Sequence, residues 1–148
     1  MGNLVFNRAL GRLAAYADLP TPNDAFVLVP LELAGLETDA VLRDKDTLAD
    51  VVSGATNEQV TVGRKTLVNV TVTVDDTNDR VAIDADNVTW SSPTGNPIGA
   101  VAVFYDPDTT TGTDADLIPL TKADLSWSPD GIAFTLNIAD LFRASSTG

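Results

Sequence analysis

The clearest signal along the chain is a two-residue period in its second half. Val68, Val70, Val72 and Val74 alternate with Thr71 and Thr73, the pattern of a strand with one face on a core and the other in water. The valines are expected inside and the threonines outside. Asp75-Asp76-Thr77-Asn78-Asp79 follows as a turn, and residues 80–83 return as a strand. Residues 87–90 and 98–105 read as further strands around a loop at 91–97. A Thr-, Asp- and Gly-rich loop at 106–116 precedes a short strand at 117–120, around Pro119. A last hairpin is expected from strand 125–127, the turn Ser128-Pro129-Asp130-Gly131, and Ile132, Phe134, Leu136 and Ile138 alternating with Ala133, Thr135 and Asn137. Pro-Asp-Gly suits a type I turn followed by a left-handed glycine. About six or seven strands at roughly 8–12-residue spacing predict a mainly β chain, an antiparallel β-sandwich or barrel.

The first part of the chain follows other rules. Phe6, Leu10, Leu13 and Ala17 fall on one helical face of residues 3–17, with Arg8 and Arg12 opposite. Asn3 is a candidate cap, and Asp18 with Pro20 a stop. Gly11 weakens such a helix by about 1 kcal/mol relative to Ala, so a helical and an extended N-terminal arm both remain open. Residues 21–24 form a turn, and the apolar run 25–33 is cut by Pro30, which predicts an edge strand or one with a bulge. Residues 36–46 read as a polar loop. Asp46 then caps one or two helical turns with Leu48, Val51 and Val52 on one face and Gly54 as the stop. The expected organisation is an arm (1–20), a connecting segment with an edge strand and a short helix (21–58), and a β domain (59–148), all in one globular domain.

Charge and composition narrow the function. The 148 residues include no cysteine and no histidine, which removes disulfides, thiolate metal sites, cysteine nucleophiles and histidine bases. Net charge is −12. Arg8, Arg12 and Asp18 give residues 1–20 a charge of +1, and seven basic against twenty acidic groups give the remainder −13. A body so acidic repels phosphates and anionic lipid, so neither nucleic acid nor a membrane is an expected partner. No run reaches the ~18 apolar residues of a membrane span, and the start lacks the basic and apolar regions of a signal peptide. Synthesis in the cytoplasm is expected, with the product soluble or built into an assembly.

The chemistry that remains is thin. Asp75/Asp76/Asp79, Asp84/Asp86, Asp106/Asp108 and Asp114/Asp116 offer oxygen ligands of the kind Ca²⁺ takes. None has the glycine and glutamate of an EF-hand loop, and aspartate is a turn residue in its own right, so no metal and no cofactor is expected. A glycosidase pair needs one buried carboxyl, whereas these lie in polar turns. Lys45, Lys65 and Lys122 are the only lysines, and none sits in an apolar run as a catalytic amine would. Trp90 and Trp127 could present a carbohydrate platform, but on period-2 strands a core role is commoner. No enzyme is expected. The arm is the informative piece, because an apolar face this short is not stable in isolation. It must pack on its own domain, on a neighbouring copy or on another protein, and the first reading weighs evenly against the other two. In the intermolecular case Phe6, Leu10 and Leu13 are the anchors, with Arg8 and Arg12 meeting an acidic surface.

Several stretches together resemble a known group. LVFNRALGRLAAYADLP, GLETDAVLRDKDTLADVVSG, GRKTL, VTVDDTNDRVAIDADNVTW, FYDPDTTTGTDADLIPLT and SPDG look like small virion structural proteins of tailed bacteriophages infecting actinobacteria. The chain is similar in particular to capsid decoration and minor capsid proteins. The resemblance runs across nearly the whole chain and brings no catalytic residues. It implies a virion protein made in the host cytoplasm, forming homo-oligomers and binding the major capsid protein or another virion protein. Neck or tail-tube membership, or a Ca²⁺- or glycan-binding surface module, are the alternatives.

Overall fold

The computed structural model describes residues 3–139 and 141–145. In chain order the strands are β1 (Leu4–Val5), β2 (Ala25–Glu32), β3 (Lys65–Thr66), β4 (Thr71–Asp75), β5 (Arg80–Asp84), β6 (Val88–Trp90), β7 (Ile98–Asp106), β8 (Ile118–Trp127), β9 (Phe134–Leu136) and β10 (Phe142–Ser145). A 3₁₀ turn (Asn7–Ala9) and α1 (Leu13–Ala17) precede β2, and α2 (Asp39–Leu42) and α3 (Leu48–Val51) follow it. The main sheet has the order β1-β8-β7-β2-β3; beside it stand the small sheets β10-β5-β4 and β6-β9. Every strand pairing among the described residues is antiparallel. Antiparallel sheet dominates, as expected, but no described sheet closes into a barrel or makes a true sandwich. The main sheet ends in two-residue strands at both edges, and the remaining strands split into separate pieces.

The centre of the molecule is the pair β2 and β7, in register from Ala25 opposite Asp106 to Leu31 opposite Ala100. Phe26, Leu28, Val101, Val103 and Tyr105 enter one core, with Leu67, Ile83, Val88 and Trp90. Val27, Val29, Leu31, Ala100, Ala102 and Phe104 enter the other, with Phe6, Leu42, Leu48 and Val51. Burial on both faces explains why these two runs show no alternation. Pro30 is tolerated because its carbonyl accepts the Gln59 N–H at 2.9 Å. Its missing N–H therefore points away from β7, and no bond of that ladder is lost. The run is not an edge strand, since β2 lies between β7 and β3; the register shift expected near Pro30 lies between Leu31 and Glu32. The sheet thus runs across residues 20/21 and 58/59, taking strands from all three expected segments.

Several local expectations are corrected. Val68 and Val74 are 56% and 70% exposed, and Leu67 is the buried residue instead. Asn69 adopts φ 54°, which breaks the alternation, so β4 starts only at Thr71; within it Thr71 and Thr73 do point outward, and Val72 is half-buried. The turn before residue 132 forms with Gly131 at φ 83°, but its flanks do not pair with each other. Gly131 N–H donates to the Pro93 carbonyl, Asp130 bridges to Thr94, and β9 pairs with β6, while 117–120 and 125–127 merge into β8. Residues 36–46 contain a helical turn that buries Leu42, and Thr47, not Asp46, caps α3 by accepting the Asp50 N–H. Finally, residues 3–17 form neither one helix nor an extended arm. Gly11 at φ 75° separates the 3₁₀ turn from α1.

Candidate interaction surface

The arm is woven into its own domain. β1 pairs with β8, Asn3 Oδ1 accepts the Asp124 N–H at 3.1 Å, and Phe6 N–H donates to the Leu120 carbonyl at 3.0 Å. The Phe6 ring is fully buried, 6.4 Å from that of Phe104. Three residues later the chain joins the opposite core through Ala9, Leu13 and Ala17, and Tyr16 stacks on Tyr105 at 4.5 Å. The inward set is therefore Phe6, Ala9, Leu13 and Ala17. Of the five arm residues singled out by the sequence, Phe6 and Leu13 are spent on the chain's own cores. Arg8, Leu10 and Arg12 are each exposed, and Leu10, at 61%, does not join the inward apolar face expected for it.

The charges around them are mostly matched internally. Arg64 reaches Glu58 at 2.7 Å and Asp114 at 2.8 Å, and those hydrogen bonds raise its pKa further above the ordinary arginine value. Arg80 meets Asp75 at 3.1 Å, and Lys45 lies 4.0 Å from Glu37. Lys122, whose side chain is wholly buried, lies 2.9 Å from Asp39 and 2.5 Å from Asp124. Arg8 and Arg12 make no ion pair among the described residues. An exposed leucine between two arginines without ion pairs, on a chain of charge −12, marks this stretch as a candidate docking surface.

The acid clusters do turn work. Asp108 accepts from the hydroxyls of Thr110 and Thr111, Asp116 from the N–H and hydroxyl of Thr113, and Asp75 from the N–H groups of Thr77 and Asn78. Hydrogen bonding lowers all three pKa values: chiefly from the Asn78 side chain at Asp75, the Thr110 hydroxyl at Asp108 and the Thr113 N–H at Asp116. That is the direction opposite to a general acid's. Among the described residues no group of three or more acids could hold a metal, and no helix is long and apolar enough to cross a membrane. Trp90 is buried, with its ring N–H on the Gly63 carbonyl. Trp127 stacks at 3.9 Å on Phe134, so one face of its ring is closed to a sugar. A mostly apolar cavity of about 330 Å³ lies among Leu28, Val103, Ile138 and Phe142, with Thr121 and Asn137 in its wall; no described carboxylate lines it.

Sequence reasoning placed Phe6 and Leu13 on an apolar face, as the cores bear out, but placed Leu10 there too and missed the Lys122 cluster. Its signal is faint: one lysine two residues before an aspartate in a strand, while Asp39 arrives from far along the chain. No protein-family model, no curated protein and no solved structure matches this chain.

Proposed function

We propose that this protein is a non-enzymatic structural component of a tailed-phage virion, of the capsid decoration or minor capsid kind, docking through the outer side of its N-terminal arm. The observation that carries the docking surface is the exposed strip Arg8, Leu10 and Arg12, whose two cations have no partner among the described residues of an otherwise acidic chain. A leucine between guanidinium groups suits an acidic protein surface with an apolar spot, and arginine is favoured at such interfaces. The virion assignment rests on the sequence resemblance, which runs across nearly the whole chain. A major capsid lattice or another virion protein supplies the acidic face, and the chain acts by binding, without turnover.

The test is co-sedimentation of purified protein with capsids that lack it. Wild-type protein should bind in many copies per particle. R8E/R12E should weaken binding at least ~tenfold, more at low salt than at high, because the contact is charge-steered. L10A should weaken it less, and none of these changes should alter the melting temperature appreciably, since all three side chains are exposed. Wild-type protein that stays in the supernatant would sink the proposal.

A further inference from the structure

Resting on that reading, we infer that one partner of the strip is a second copy of this chain, and that the strip seats in a groove at the tip of the β4–β5 hairpin. The groove is open, of about 480 Å³, and its wall includes Val74, Asp75, Asp76, Asp79, Arg80 and Ala144. Three carboxylates against one guanidinium make it −2 at neutral pH, and Arg80 is already held by Asp75 at 3.1 Å. Val74 stands in it 70% exposed. The groove is the chemical counterpart of the strip: an exposed apolar side chain flanked by acids, facing one flanked by arginines. Nucleic acid and anionic lipid are excluded from it by the same charge.

Placement supports a mutual contact. α1, which begins directly after Arg12, packs against β4 of its own chain, so strip and groove belong to neighbouring elements. A two-fold pairing then uses both at once, arm on hairpin and hairpin on arm, as an isologous interface requires. The remaining strand of that sheet, β10, is its other edge and borders the groove through Ala144 and Ser145. The turn of the hairpin is closed by the Asp75 carboxylate, which accepts from Thr77 and Asn78.

Sedimentation velocity on the full chain tests this with wild type, R8E/R12E, D76R and the combined R8E/R12E/D76R, each at ~50 and ~500 mM salt. Asp76 is exposed in the turn, so D76R should keep the fold, and circular dichroism checks it. Wild type should self-associate at low salt and dissociate as salt rises. R8E/R12E and D76R should each raise the dissociation constant at least ~tenfold, and the combined variant should recover most of the loss because its charges are reversed on both sides. Association indifferent to either charge reversal, or no recovery in the combined variant, overturns the inference. A monomeric wild type that nonetheless binds particles through Arg8 and Arg12 also overturns it while leaving the virion role standing. Failure of wild type to bind particles strikes that role itself.

Discussion

Lys122 shows how much one residue can depend on its surroundings. It is a lysine in β8 whose side chain is fully buried, held between Asp39 from α2 and Asp124 from its own strand. Removing an ammonium from water is costly unless paired charges compensate it. The two carboxylates keep 21% and 34% of their side-chain exposure, although the Asp39 Oδ1 facing the lysine is itself buried, so they are partly solvated without the lysine whereas the ammonium is not solvated at all. Lys122→Met, which leaves one buried carboxylate oxygen unmatched on a partly solvated group, should therefore cost less than D39N/D124N, which leaves the ammonium buried and unmatched and should cost about 3–5 kcal/mol. Urea unfolding of the two variants decides the point, and equal losses would contradict it. Val68 and Val74 give the opposite lesson: both are apolar and in alternation yet exposed, Val68 because the left-handed Asn69 shifts the phase so that Leu67 turns inward, and Val74 because it stands at the turn end of β4.

At the scale of elements, the arm is the decisive piece. It is too short in each part to be stable alone: two residues of strand, a 3₁₀ turn and five residues of helix. What fixes it is burial of Phe6 in one core and of Ala9, Leu13 and Ala17 in the other. Phe6→Ala should then destabilise by about 3–5 kcal/mol, the range for a buried phenylalanine. A chain beginning at Thr21 should lose at least as much and melt well below the intact protein. Chemical denaturation measures both. An unchanged midpoint for Phe6→Ala would mean that the arm is dispensable to the fold and would return Phe6 to the docking surface. Point changes at Arg8, Leu10 and Arg12 are therefore the clean probes of binding, and truncation is not.

For the whole molecule, the pH range of stability follows from the loops and from one buried phenol. The carboxyls of Asp75, Asp108 and Asp116 have folded pKa values below the ordinary 3.8. Their contribution is complete above that value and is lost as pH falls through the folded values. Burial pushes the Tyr105 hydroxyl above the ordinary 10.0, with a hydrogen bond to Asp24 acting in the same direction. Its contribution is complete below 10.0 and is lost as pH rises past it. The melting temperature should change little between those limits and fall outside both. A steep loss already near neutral pH would show that other groups govern stability.

The sequence by itself determined a good deal here. Period-two runs and turn residues established antiparallel β structure; the lack of cysteine and histidine removed whole classes of catalysis; and the +1 amphipathic arm on a −13 body singled out Phe6, Arg8, Leu10, Arg12 and Leu13 together. Each of these is a local or summed property, readable without knowing which segments meet. Tertiary structure alone decided the rest. Whether Phe6 and Leu13 were anchors for a partner or for the chain itself depended on a cavity between distant strands. Residues 25–31 kept both faces covered because β5 and α1 close one side while Phe6, α2 and α3 close the other. The Ser128–Gly131 turn looked like a hairpin, yet its glycine bonds to Pro93 and its two flanks enter different sheets. Strand partners far apart in the chain are chosen by which burial is greatest over the whole fold, and no local pattern carries that sum.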